Sequence, residues 1–339
     1  MSRKNRIVVI CPGRGSYTSE TLGYLKKHRG NRLVADFIAD IDTRRAALGE
    51  PTISELDNAT NFSPSRHTRG ENASTLIYAC SFADFAAIDR EQNEIVAVTG
   101  NSMGWYLALA FAGSLDWAGA FEVINTMGSM MKDKIIGGQL IYPVVNGDWH
   151  RSQEMVDTVE SAIAAARDAG GQVHPSIHLG GYAVIGGDST GLGFLMKHLP
   201  KLDHYPLQLI NHAAFHTPLL RETSDRAFAT IPSAIFHRPA VPMIDGRGQI
   251  WQPWSTDEQE LYRYTLGHQV HETYDFTKAI TVALKEFAPD QLYLLGPGNS
   301  LGGAIGQVLV SNRWQGIDSK SAFSARQKSK PYLISMGLD

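Results

Sequence analysis

The stretch Ile95-Val-Ala-Val-Thr-Gly-Asn-Ser-Met-Gly-Trp-Tyr-Leu-Ala-Leu-Ala-Phe-Ala112 decides how the chain is read. A short β-branched run, Ile95 to Val98, meets Gly100-Asn-Ser-Met-Gly104, and an Ala/Leu-rich run follows at once. The pattern predicts strand, tight turn and helix, with Ser102 at the apex and a glycine two residues to either side. Such a turn lifts the hydroxyl clear of the backbone, and small flanks let strand and helix close up behind it. The next N–H, on Met103, falls at the helix N-terminus, where negative charge on an oxygen is stabilised. A glycine-rich βα turn with an incidental serine has the same local pattern, so the rest of the chain must decide between them.

The chain has 339 residues, 43% hydrophobic and 19% charged, which is long enough for a large core plus a subdomain. A net charge of −3 argues against a nucleic-acid binder. The basic start, Met1 to Arg6, is followed by an apolar run only from Ile7 to Ile10, too short for a signal-peptide core. No stretch approaches the length of a membrane span. Cys11 and Cys80 fit no CxxC or zinc spacing, which points to a reducing cytoplasm. The twelve histidines are scattered without ligand spacing, so no metal is implied. There is no internal repeat and no low-complexity linker.

Ile7 to Ile10 reads as a first strand running into Cys11-Pro-Gly-Arg-Gly-Ser16. A dinucleotide fingerprint is rejected there, because its third glycine would be Thr18 and Pro12 is atypical. Residues 17 to 60 read as helical with polar breaks, and Asn72 to Ile88 as an amphipathic or buried helix. Asp116-Trp117 opens another helix to about Lys134, broken by Gly137-Gly138.

From Gln139 the texture changes to strand (Leu140–Val145), helix (Ser152–Ala169), strands (Val173–His178 and Tyr182–Ile185), helix (Leu192–Leu199) and strand (Tyr205–Ile210). That βαββαβ order predicts a ferredoxin-like inserted subdomain over 139–210. The main fold resumes with a helix near Pro218, a strand around Val241–Ile244, a long helix over Gln269–Phe287 and a strand over Gln291–Leu295. The last strand leads into Gly296-Pro-Gly-Asn-Ser-Leu-Gly-Gly303 and a closing helix. The expected fold class is α/β: an α/β-hydrolase-like large domain with a parallel sheet, over 1–138 and 211–318, carrying the small subdomain. Residues 319–339 form a C-terminal tail whose stretch Ser319 to Pro331 is polar and basic and is expected to pack loosely. Sites in such sheets lie at the carboxyl ends of strands, where Arg14, Ser102 and the Gly296 loop all fall.

A nucleophilic serine needs a base. His216 lies in Leu209-Ile-Asn-His-Ala-Ala-Phe-His-Thr-Pro-Leu-Leu220, which reads as strand, short turn and helix start, and so places an imidazole at the mouth of the same sheet. His212 competes for the role but reads as a histidine on the turn surface.

Four stretches now resemble one family in order and spacing. Cys11-Pro-Gly-Arg-Gly-Ser16 resembles the FPGQGS motif of malonyl-CoA:acyl-carrier-protein transacylases and polyketide synthase acyltransferase domains. Gly100-Asn-Ser-Met-Gly-Trp-Tyr106 resembles their GHSLGEY, Ala214-Phe-His-Thr-Pro-Leu-Leu220 their AFHSPLM, and Gly296-Pro-Gly-Asn-Ser-Leu-Gly302 their GPGKVLT. The resemblance extends to about Val310. It implies a ping-pong acyl transfer in fatty acid or polyketide biosynthesis. Ser102 would attack an acyl-CoA, with His216 as base and then acid. The backbone N–H groups of Met103 and Arg14 would form the oxyanion hole. The backbone carbonyl of Gln269, in Gly267-His-Gln-Val270, would orient His216. The acyl group would pass to the phosphopantetheine thiol of an acyl carrier protein. No permanently bound cofactor is implied, and the family is commonly monomeric.

The departures bear on the acyl group. An ungapped count from Ser102 places Met127 where malonyl-specific members carry an arginine, in a V-E-M-R-G setting. A thioether cannot make a charge-assisted pair with a carboxylate, so a non-carboxylated acyl group is expected. Asn101 for the usual histidine and Trp105 for the usual glutamate point to an altered acyl pocket. A counter-reading is that Arg14, where the family has glutamine, brings its guanidinium to the pocket from the other side. Three functions stay open: acyl-CoA:carrier-protein transfer, hydrolysis of acyl groups from carrier proteins on the same scaffold, and a non-catalytic carrier-binding module. Lys197, Lys201 and Arg221 are candidates for a basic patch facing an acidic carrier.

Overall fold

A computed structural model describes residues 3–338. Its centre is a parallel sheet built on two strands, β1 (Asn5–Cys11) and β2 (Asn93–Gly100). Ile7 through Cys11 are fully buried, and a parallel strand covered on both faces reads as a continuous apolar run. The small sheet is formed by β3 (Gly138–Pro143), β4 (Val173–Leu179), β5 (Tyr182–Gly187) and β6 (Leu207–Gln208). The chain then returns to the large sheet with β7 (Met243–Ile244) and β8 (Ile250–Trp251). β9 (Tyr274–Asp275) follows, then β10 (Gln291–Leu294) and β11 (Leu333–Ser335).

The large sheet has the order β11-β10-β1-β2-β7-β8 and is parallel except for β7–β8. The small sheet has the order β6-β3-β5-β4-β9, and its first four strands follow the ferredoxin order. Helices α1 (Arg32–Ala47), α2 (Gly70–Ala87), α3 (Gly104–Phe111) and α4 (Trp117–Ser129) belong to the large domain. α5 (Gln153–Asp168) and α6 (Ser189–His198) cover one face of the small sheet and enclose its own core with Leu140, Tyr142 and Ile185. Ile177 and Val184 belong instead to the large core, so the small sheet leans on the main domain. α7 (Arg221–Thr230), α8 (Phe276–Phe287), α9 (Gly302–Ser311) and α10 (Lys320–Ser329) complete the chain. Among the described residues no helix is long and apolar enough to cross a membrane.

Three expectations need correction. The tail does not pack loosely: α10 leads into β11, which pairs parallel with β10, and Tyr332 is fully buried. Gln327 locks this return, accepting from the N–H groups of Tyr332 and Leu333 and donating to Leu333 O. The polar composition belongs to the helix surface and hid the few apolar residues that anchor it. Nor is Gln269–Phe287 one helix. A turn of helix, Gln269–His271, ends at the extended Glu272, β9 follows, and α8 starts on the Asp275 cap, whose carboxylate accepts from Lys278 N. β9 pairs with β4, so the small sheet takes a strand from outside the insertion. The strand expected over Tyr205–Ile210 shrinks to Leu207–Gln208; Pro206 has no N–H to give a ladder.

Candidate active site

The turn after β2 is tight for a reason visible in its glycines. A Cβ on Gly100 would lie 2.3 Å from Gly104 O, and one on Gly104 would lie 2.4 Å from Cys11 O. Only hydrogen at both positions lets β1, β2 and α3 meet. Ser102 sits between them at φ +56°, in the left-handed region, with its hydroxyl presented at the sheet's carboxyl end.

The Ser102 Oγ–H donates to His216 Nε2 at 2.7 Å, and His216 Nδ1 lies 2.6 Å from the backbone carbonyl of Gln269. A carbonyl only accepts, so Nδ1 carries the proton and the Nε2 lone pair faces the serine. Burial holds the imidazole down at about 4, with His268 adding to the effect and the Gln269 carbonyl opposing it. A neutral histidine is therefore poised to take a proton at pH 7. The His216 N–H donates to Val270 O at 2.9 Å, and His216 also adopts a positive φ, +59°.

The N–H groups of Met103 and Arg14 have no acceptor among the described residues. Both residues border the cavity over Ser102. Its volume is about 250 Å³, and it lies in the cleft between the two sheets: Ser74, Ile124 and Met127 on one side, Ile141, Ile177 and Val184 on the other. Asn101 lines it too, with a buried Oδ1 that has no partner among the described residues. Arg14 projects its guanidinium along the wall, donating to the carbonyl of Asn211 and lying 5.4 Å over the Phe215 ring. Desolvation lowers its pKa to about 10 against the pull of Glu71. A Cβ on Gly70 would come within 2.9 Å of Arg14 Nη1 and 2.5 Å of Gly128 O. The bare Gly70 thus leaves room both for the arginine's guanidinium and for Gly128, near the end of α4.

The structure brings Ser102, His216, Gln269, Met103, Arg14, Asn101 and Met127 together. It does not bring Trp105. That side chain is fully buried behind the turn, donating from Nε1 to Thr265 Oγ1 at 3.0 Å and packing edge-on to Tyr264. On a helix, neighbouring residues face different ways, and it is Tyr106 that turns toward the cavity. His212 is not on the turn surface. It lines the cavity, its Nδ1 2.9 Å from Gln139 Oε1, and burial plus the nearby Arg14 push its pKa well down. Of the basic candidates, Arg221 lies 3.7 Å from Glu272, Lys201 donates to Met196 O, and Lys197 is exposed in the last turn of α6. Two contacts escaped the sequence reading: Tyr106 OH donates to Gln269 Oε1 at 2.8 Å, and Gln269 Nε2 donates to Ser102 O at 3.0 Å. Tyr106 stood in the quoted motif four residues after Ser102, one helical turn on, which is the signal that was available. Among the described residues no three His, Cys, Asp or Glu side chains are grouped to hold a metal ion.

A hydroxyl on a strained βα turn, served by a neutral imidazole and facing free N–H groups, is the equipment of an acyl-transfer enzyme that works through serine. Comparison with known proteins narrows that class. No protein-family model matches the chain. The malonyl CoA-acyl carrier protein transacylase of Escherichia coli K12 is 23% identical over 233 residues, spanning 67% of this chain and 71% of that one. The solved malonyl-CoA:acyl carrier protein transacylase of Xanthomonas oryzae pv. oryzae superposes with a TM-score of 0.72 at 18% identity, covering 92% and 93% of the two chains. A malonyl-transacylase solved in complex with its type II polyketide acyl-carrier protein gives 0.72 at 19% identity, covering 90% and 94%. The chain is thus similar in sequence to malonyl-CoA:acyl-carrier-protein transacylases and shares the fold of those that have been solved.

Proposed function

We propose that this chain is an acyl-CoA:acyl-carrier-protein S-acyltransferase working by ping-pong through an ester on Ser102. The observation that carries the reading is the 2.7 Å Ser102–His216 contact, with the imidazole held in the required tautomer by the Gln269 carbonyl. Ser102 Oγ attacks the thioester carbonyl as its proton passes to His216 Nε2, and the oxyanion rests on the N–H groups of Met103 and Arg14. Collapse breaks the C–S bond, and the imidazolium returns the proton to the coenzyme A thiolate. The phosphopantetheine thiol of the carrier then gives its proton to His216 and attacks the ester, and Ser102 leaves with that proton. Loss of one oxyanion donor at such a site costs about 3 kcal/mol of barrier. The relative solved with its carrier protein supports a carrier as the acceptor. Coenzyme A and phosphopantetheine arrive as parts of substrates, so no resident cofactor is needed. The chain is read as a monomer of a reducing cytoplasm, in keeping with its two free buried thiols, Cys11 and Cys80.

For the acyl group, the α4 wall is apolar: Ile124 and Met127 offer nothing to a carboxylate. This supports a non-carboxylated acyl group. One observation favours a second reading. Arg14 reaches the same cavity, and its five donors have one hydrogen-bond acceptor, the Asn211 carbonyl, among the described residues. A carboxylate there would meet a desolvated cation.

Intact-protein mass after brief exposure to malonyl-, methylmalonyl-, acetyl- and longer acyl-CoAs, with Ser102→Ala as control, tests both. Labelling by unsubstituted acyl groups alone supports the first reading. Labelling by malonyl-CoA that Arg14→Gln abolishes establishes the second. Passage of the label to a holo carrier protein marks a transferase, whereas loss to water at the same rate with or without carrier marks a hydrolase. Absence of any label overturns acyl transfer and leaves a carrier-binding module.

A further inference from the structure

Residues 264 to 270 grip both members of the dyad. They hold His216 by two backbone carbonyls, Gln269 O on Nδ1 and Val270 O on the main-chain N–H. They hold the nucleophile turn by side chains: Gln269 Nε2 on Ser102 O, Gln269 Oε1 under the hydroxyl of Tyr106, and Thr265 Oγ1 under the indole of Trp105. The segment itself is wound as a π-turn, Tyr264–His268, a geometry that recurs at functional sites, and Ser224 Oγ ties it down through Leu266 O. Ser102 and His216 both occupy left-handed backbone, which a non-glycine residue keeps only when its surroundings hold it. Gln269 is 2% exposed, so its amide has no water to fall back on.

We propose that the side-chain amide of Gln269, braced by Tyr106, is a positioning group that holds the strained Ser102 turn in register with His216. The inference rests on the Ser102–His216 chemistry proposed above. One residue thereby sets both ends of the dyad: its carbonyl orients the imidazole, and its amide carries the serine. Trp105 adds a second tie to the same segment, which gives its departure from the family's glutamate a structural meaning.

The test compares Gln269→Leu, which keeps the carbonyl and loses both amide bonds, with Tyr106→Phe, which keeps the ring in the cavity wall. Two rates are read: acylation of Ser102 by the best acyl-CoA, and its phosphonylation by a fluorophosphonate, which needs only an activated serine. Tyr106→Phe is expected to slow both about tenfold and Gln269→Leu about a hundredfold, with KM for acyl-CoA within about twofold of wild type. The double variant should be no slower than Gln269→Leu alone, since the two side chains act through one bond. Gln269→Glu should move the acid limb of both rates to higher pH, because a carboxylate beside the dyad favours the imidazolium; a side chain needed only for packing would leave the limb in place. If Gln269→Leu does not fold, Tyr106→Phe and Gln269→Glu carry the test. Multiplicative effects in the double variant, a loss confined to KM, or unchanged rates would each overturn the proposal. A wild type that reacts with the fluorophosphonate and with no acyl-CoA would refute the substrate reading while leaving this comparison intact.

Discussion

His216 makes the stability of this protein a function of pH, and the size of the effect follows from its burial. The imidazole is 2% exposed and titrates at about 4 when folded, against about 6.5 in an unfolded chain. Between those values the unfolded chain binds a proton that the folded chain refuses. Stability is therefore fully present above about pH 6.5 and is lost progressively as pH falls toward 4. At pH 5 the loss from this one group is about 2 kcal/mol, and at pH 7 about 0.2 kcal/mol, from 2.303RT times the difference in proton binding. His212 acts in the same direction, so the comparison that isolates His216 is wild type against His216→Gln. Urea unfolding at pH 7 and pH 5 should show wild type losing about 2 kcal/mol more than the variant between the two pH values. Equal losses would mean that His216 is not held neutral in the fold, and the assignment of its lone pair to Ser102 would fail with it. The same neutral imidazole should keep Ser102 acylation flat down to about pH 5, with the acid limb near 4 and not 6.5.

The fold offers two further tests. Gly104→Ala places a methyl 2.4 Å from Cys11 O and 2.8 Å from Pro12 O, and should cost about 2 kcal/mol or more by denaturation; a neutral result would show that β1 and α3 do not meet there. Tyr332→Ala should cost about 3 kcal/mol or more, while Lys328→Ala on the exposed face of α10 stays within about 0.5 kcal/mol; equal small effects would contradict a C-terminal strand inside the sheet.

The parts of this fold that were legible in the sequence are those governed by short-range constraints. Gly100 and Gly104 announce their turn because no other residue fits there, and Ile7–Ile10 announces a buried strand because both its faces are covered. The βαββαβ unit shows itself through alternating periodicities that need no distant partner. What stayed hidden depends on contacts between segments far apart in the chain. Trp105 and Tyr106 are adjacent and alike in composition, and only the position of Thr265 and Gln269 decides which faces the core and which the cavity. His212 looks like a turn residue until Gln139 and Arg14, one more than 70 and the other almost 200 residues earlier, enclose it. The break before α8 carries no glycine or proline; it is imposed by pairing with β4. Arg14 extends its guanidinium past Gly70, on a third element, where a side chain would crowd it.

The two-residue strand β9 has a consequence for anyone who would treat the small subdomain as an exchangeable part. Cutting the gene at residues 138 and 208 would leave one edge of that subdomain behind, because Tyr274 and Asp275 complete its sheet from beyond the Gln269 carbonyl that binds His216. The seam is stitched further by Thr273 Oγ1 on Pro175 O, Thr277 Oγ1 under Gly180 N, and Gln307 Oε1 under Gly181 N. Gln269 lies four residues before the seam. A chimaera that brings in a relative's subdomain without its matching 273–277 segment would thus inherit a mismatched edge next to the residue whose carbonyl binds His216. The unit of exchange in this architecture is a discontinuous one, the insertion together with the short strand that arrives some 65 residues later.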